Sequence, residues 1–127
     1  MIKETISYEN FDGEKRTEDF YFHISKVDIT RLNLKSKTGT FKGDLEELLK
    51  DKEHNGEEML DYIMLFIETA YGKRSADGTF YKDKDAARAF INSDAAAELV
   101  VDLMNSTDKL RAFIRGVMPK NASDSVR

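Results

Sequence analysis

The first two dozen residues alternate with period two, turn once, and alternate again. Ile2, Glu4, Ile6 and Tyr8 share one side of a strand, with Lys3, Thr5 and Ser7 on the other. Asn10-Phe11-Asp12-Gly13 follows with turn chemistry, Gly13 being free to adopt positive φ. From Lys15 to Ile24 the alternation resumes, with Phe20, Phe22 and Ile24 on one face and Tyr21 and His23 on the other. The pattern predicts a β-hairpin over residues 2–24. A two-stranded hairpin is only marginally stable in water. Its apolar face needs a covering layer, and the rest of the chain has to provide it.

The downstream periodicity is helical. Ser25 is placed as an N-cap with Asp28 as a weak capping-box partner, opening a short helix that carries Val27, Ile29 and Leu32. Residues 34–43, rich in Lys, Thr, Ser and Gly, read as a loop and as the segment expected to be most mobile. Asp44 is expected to cap a helix bearing Leu45, Leu48 and Leu49, broken or kinked at His54-Asn55-Gly56. The strongest pattern runs from Glu57 to Tyr71, with Met59, Leu60, Ile63, Phe66, Ile67 and Ala70 on one face and Gly72 at a C-cap position. Residues 73–81 read as a turn-rich loop with a small hairpin at Asp77-Gly78.

Three more helices follow. Asp83 or Lys84 opens one that runs to Asn92, with Ala86, Ala89, Phe90 and Ile91 inward. Ser93 caps Asp94 to Asn105, whose apolar positions are Ala96, Leu99, Val100, Leu103 and Met104. Thr107 caps Asp108 to Val117, carrying Leu110, Phe113, Ile114 and Val117, and Pro119 stops it. The expected architecture is α+β and helix-dominated, an N-terminal hairpin packed on about five short-to-medium helices. It forms a single globular domain over 1–119 (hairpin 2–24, helical part 25–118), with 120–127 as a flexible polar tail.

Bulk properties narrow the function. The chain of 127 residues carries a net charge of −4 with acidic and basic residues interspersed, which disfavours nucleic acid as a partner. It has no cysteine, so a disulfide framework, a thiolate zinc site and a cysteine nucleophile are excluded. The N-terminus lacks the apolar core of a signal peptide, and the apolar-rich run from Met59 to Tyr71 is too short and too acidic to span a bilayer.

Catalytic constellations are weak. His23 and His54 lack a second histidine at ligand spacing and read as surface or edge residues. Ser25, next but one to His23, is already explained as a cap. The carboxylate pairs Glu46-Glu47, Glu57-Glu58 and Asp83/Asp85 read as solvated helix faces. The glycines are scattered rather than gathered into a phosphate loop, and Asp77-Gly78 lacks a calcium-loop ladder of carboxylates. No catalytic, metal-binding or cofactor-binding residue is assigned.

Apolar helix surface is the remaining feature. One use for it is the core beneath the hairpin. The other is reception of a partner's helix, for which methionine's adaptability suits Met64, Met104 and Met118. Met64, Tyr71, Met104, Phe113, Val117 and Met118 are the candidate partner-binding residues. Sequence alone does not partition the two uses.

Three segments together carry a resemblance. MIKETISYENFDGEKRTEDFYFHISKVDI (residues 1–29), AYGKRSADGTFYKD (70–83) and FIRGVMPK (113–120) resemble the opening, the central Ala-Tyr-Gly loop and the closing Phe-x-x-Gly-x-x-Pro end of one family. It comprises tail assembly chaperones of long, non-contractile-tailed phages and prophages of Gram-positive bacteria. Residues 34–55 depart from the family pattern. The resemblance implies a non-enzymatic morphogenesis factor in the host cytoplasm, absent from the mature virion, that binds the tape measure protein and keeps it soluble until the tail tube polymerises. It also implies a longer frameshift product able to reach the major tail tube protein. Pro119-Lys120-Asn121 can be encoded with the slippery run A-AAA-AAC. A homo-oligomer is compatible with it; a membrane partner is not expected. The rival readings are another small phage structural protein, such as a tail terminator or head–tail connector subunit, and a small non-catalytic binding module.

Overall fold

The computed structural model describes residues 1–119, so the expected polar tail at 120–127 lies outside the described residues. Strands β1 (Ile2–Glu9) and β2 (Lys15–Phe22) pair antiparallel in a register running from Ile2↔Phe22 to Glu9↔Lys15. The Asn10 side chain closes the hairpin by accepting from the amides of Asp12 (3.0 Å) and Glu14 (2.9 Å). As the alternation requires, Ile6 and Phe22 are buried on the inner face, while Lys3, Thr5 and Ser7 face solvent. β2 ends at Phe22 rather than at residue 24. The chain keeps its bonding, however: the His23 amide donates to Ala70 O (2.9 Å) and the Ile24 amide to Val117 O (3.2 Å).

The hairpin is half of a larger sheet. Strands β3 (Tyr71–Arg74) and β4 (Phe80–Tyr81) extend it to the four-stranded antiparallel order β1-β2-β3-β4, with Tyr21↔Gly72 and Phe22↔Tyr71 joining the halves. Gly72 is therefore not a helix C-cap but a strand residue. A Cβ there would stand 2.2 Å from the Phe80 ring and 2.8 Å from Tyr81 O, so only glycine fits. The expected small hairpin at Asp77-Gly78 is present as the β3–β4 turn.

Among the described residues six helices accompany the sheet: α1 (Lys26–Lys35), α2 (Phe41–Leu49), α3 (Gly56–Ala70), α4 (Lys84–Ile91), α5 (Asp94–Asn105) and α6 (Thr107–Val117). The fold is α+β and helix-dominated, as its periodicities imply. Ser25 and Asp28 form the full capping box on α1. α2 starts earlier than expected. Thr40, not Asp44, is its N-cap, accepting from the Gly43 amide at 2.9 Å, and Asn33 Oδ1 accepts from the Phe41 amide at 2.8 Å. Asp44, inside the helix, reaches back to the amides of Lys37 (3.2 Å) and Thr38 (2.9 Å) and ties the preceding loop down. The lysine-rich stretch is consequently a short, bonded connection between α1 and α2. Ser106 rather than Thr107 caps α6. On α4 the buried alanine is Ala87, with Ala89 exposed. Val27, grouped by sequence with Ile29 and Leu32, faces solvent instead.

Candidate functional site

Aromatic rings run through the centre of the molecule as a connected series. Phe20 and Tyr71 both meet Phe90 of α4, at centroid distances of 4.9 and 4.3 Å. Phe22 touches Tyr71, Phe90 and Phe113, and Phe113 meets Phe66 at 6.0 Å. Phe66 stacks on Phe41, and Phe41 on Tyr62 at 4.1 Å, the Tyr62 hydroxyl donating to Phe41 O (2.9 Å). Burial pushes the Tyr62 phenol far above its ordinary range, so it is a permanent donor. Sheet, α2, α3, α4 and α6 thus share one core, each ring contributing packing beyond its buried area.

The six candidate partner-binding residues divide by depth. Tyr71, Phe113 and Val117 are buried: Tyr71 and Phe113 belong to the ring series, and Val117 supplies the carbonyl that accepts from the Ile24 amide. Met64, Met104 and Met118 are half-buried at the margin of the core, each with part of its side chain open. The structure brings Tyr71 and Phe113 together through Phe22 and leaves the methionines on three separate elements.

Exposed apolar positions that sequence reasoning missed lie on helix surfaces: Val27 and Leu34 on α1, Leu65 on α3 and Val101 on α5. The signal for the first pair was present. Val27 and Leu34 are seven apart, on the same stripe of a ten-residue helix, but the composition of residues 34–43 assigned Leu34 to a loop.

Most of the polar groups singled out by sequence are held in caps and pairs, His23 excepted. The Ser25 hydroxyl accepts from the Asp28 amide at 3.1 Å. Glu46 forms a two-pronged pair with Arg111, tying α2 to α6, and the guanidinium holds its carboxyl below the usual range. Asp83 caps α4 through the Asp85 amide (3.0 Å). His54 bonds Asp51 at 2.7 Å on the surface. His23, half-buried beside Phe80, has its pKa lowered by burial first and then by the N-terminal amine and Lys82. Its Nδ1 has no hydrogen-bond partner among the described residues. Those residues contain no cluster of three or more side chains able to hold a metal ion, and no helix long and apolar enough to cross a membrane.

A family model described as phage tail assembly chaperone matches residues 1–127. No curated protein and no solved structure matches the chain.

Proposed function

The chain belongs to the phage tail assembly chaperone family, and from that premise we propose that it binds the tape measure protein and keeps it soluble until the tail tube forms around it. The family is one of non-catalytic chaperones. The observation that carries the reading is the match over the entire chain, which takes in all three segments of the sequence resemblance.

The physical character of the surface supports this task. A tape measure protein is long and largely helical, so its chaperone has to cover repeated apolar stripes of varied sequence. Met64, Met104 and Met118, half-exposed at the core margin, supply unbranched, polarizable side chains that adapt to such stripes. Tyr71, Phe113 and Val117 belong to the buried core against which they pack. A net charge of −4 keeps the loaded complex dispersed, and several weak contacts along one client give avidity. The host cytoplasm is where this work takes place, and the mature virion lacks the chaperone. A longer frameshift product, formed at the codons for Pro119-Lys120-Asn121, would extend the reach to the major tail tube protein. The gene sequence checks this: lack of a slippery run and of an overlapping −1 frame there excludes it.

The test is co-purification. Tagged chain expressed with the tape measure protein of the same phage genome is expected to retain it through gel filtration, whereas an unrelated helical protein of similar length is not retained. Equal recovery of both, or of neither, contradicts the reading.

A further inference from the structure

Helix α1 packs on the fold through Ile29 and Leu32 and leaves its other side open. On that side Val27, Thr30, Arg31 and Leu34 recur at i, i+3, i+4 and i+7 and, with Lys26, line a shallow groove of about 360 Å³. Val27 is 66% and Leu34 82% exposed. The Thr30 hydroxyl is used within the helix, donating to Lys26 O at 2.7 Å. Lys26, Arg31 and Lys35 have no ion-pair partner among the described residues. The helix's one acid, Asp28, is already held by the Ser25 cap and by Lys82. The groove therefore presents two open aliphatic side chains inside a ring of unbalanced positive charge, on a chain whose net charge is −4.

Shape and charge together select what such a groove takes. Val27 and Leu34 stand two turns apart, about 10 Å along the helix. A second helix with apolar residues at the same seven-residue spacing lays its ridge between them. The surrounding cations call for Asp and Glu on the flanks of that ridge. An anionic lipid surface fits less well, because two aliphatic side chains with no aromatic give little to insert and the net negative charge of the chain opposes approach. Nucleic acid meets the same overall repulsion and finds no aromatic on the stripe on which a base could stack. For an acid-flanked helix the acidic remainder of the surface is an advantage, since like charge disfavours it elsewhere and leaves α1 as the preferred seat.

We propose that the outer face of α1 is a docking groove for amphipathic helical segments of the client whose apolar stripe is flanked by Asp and Glu. Val27 and Leu34 cover the stripe, while Lys26, Arg31 and Lys35 pair with the flanking carboxylates. The groove adds selection to the sequence-tolerant contacts of the methionines at the core margin: acid-flanked segments are held and base-flanked ones refused. Exposed ion pairs contribute little singly and are screened by salt, so each docking is weak, reversible and sensitive to ionic strength. Identifying the occupant as client rests on the tape measure reading; the chemistry of the groove does not.

The experiment is fluorescence anisotropy with two labelled helical peptides that share one apolar stripe and carry either Glu or Lys on its flanks. Full-length chain is expected to bind the Glu-flanked peptide about tenfold or more tighter than the Lys-flanked one at low salt, with the gap closing at high salt. Val27→Ser/Leu34→Ser, at two exposed positions, weakens binding of both peptides. Arg31→Glu narrows or reverses the preference, and its gain toward the Lys-flanked peptide cannot come from misfolding. Segments tiled along the tape measure protein of the same phage genome are expected to bind in order of their acidic flanking. Equal binding of the two peptides, or a preference that Arg31→Glu leaves unchanged, overturns the proposal. So does an Arg31-dependent association with phosphatidylserine vesicles, or with further copies of the chain, in the absence of peptide binding. Co-purification with the tape measure protein but no flank preference defeats the groove alone, whereas flank preference without co-purification defeats the tape measure reading.

Discussion

Tyr71 lies flat on Phe90, with ring centroids 4.3 Å apart and planes within 5° of parallel. The contact joins the first residue of β3 to α4, and Phe22 closes a triangle with both rings. Truncating a buried aromatic removes its transfer free energy and leaves a cavity. Tyr71→Ala is expected to cost about 3–5 kcal/mol and to lower Tm by roughly 10–15 °C. Tyr71→Phe preserves the stack and should stay within about 1 kcal/mol of wild type. Thermal denaturation of the two variants separates a packing role for Tyr71 from direct contact with a partner. A Tyr71→Phe chain that is stable yet fails to bind the client assigns the hydroxyl to recognition instead.

Gly72 makes a sharper case, since both of its neighbours are close. Gly72→Ala sets a methyl against the Phe80 ring and the Tyr81 carbonyl and is expected to cost about 1–3 kcal/mol. Adding Phe80→Ala removes one clash and leaves the backbone one, so rescue should be partial. Urea denaturation of the single and double variants provides the measurement, and full rescue would assign the whole cost to the ring. Gly116 obeys the same logic, its missing Cβ leaving room for Ile2 at 2.9 Å. The glycines of the Ala-Tyr-Gly and Phe-x-x-Gly segments thus occupy places where chain elements touch.

Much of this was legible locally. The Ser25–Asp28 capping box, the inward Phe22 and Ile24, and the buried stripes of α3, α5 and α6 follow from spacing of one or two turns, which local patterns encode. The four-stranded sheet did not follow. Only two residue pairs join β2 to β3, and a strand of four residues has too little alternation to be recognised. The start of α2 was hidden because Thr40 and Gly43 read as loop residues, when in fact the threonine caps and the glycine sits in the first turn against Thr38. The depth of the candidate residues was hidden for a related reason. Tyr71, Phe113 and Met104 look alike as apolar positions, and only the packing of the sheet over α6 and α4 decides which of them reaches solvent.

The Arg111–Glu46 pair tests the link between α6 and α2. Its geometry is two-pronged, but both side chains are more than a third exposed, at 38% and 46%, so solvent screens the attraction. A double-mutant cycle with Arg111→Ala and Glu46→Ala is expected to return a coupling of about 0.5–1 kcal/mol that shrinks in high salt. A coupling several times larger, insensitive to salt, contradicts a surface role.

His23 gives the fold a pH dependence of known sign. Its folded pKa lies below its unfolded value of 6.5, so the unfolded chain binds the proton more readily. Its stabilising contribution is complete above pH 6.5 and is lost as pH falls through the depressed folded value. Asp28, Asp44 and Glu46, whose carboxyl pKa values are also depressed, add their own loss only below about pH 4.5. His23→Gln should therefore flatten the stability profile just below pH 6.5 while leaving the acid limb in place. An unchanged profile in equilibrium unfolding from pH 7 to 5 contradicts this role.

Client protection is tested most directly by the soluble fraction of a tape measure fragment expressed with and without the chain. The account predicts that the wild-type chain moves an otherwise insoluble fragment into the supernatant. A Met64→Glu/Met104→Glu chain, altered at half-exposed positions and checked for folding by circular dichroism, should do so several-fold less well. An equally insoluble fragment in the presence of wild-type chain would contradict the central claim.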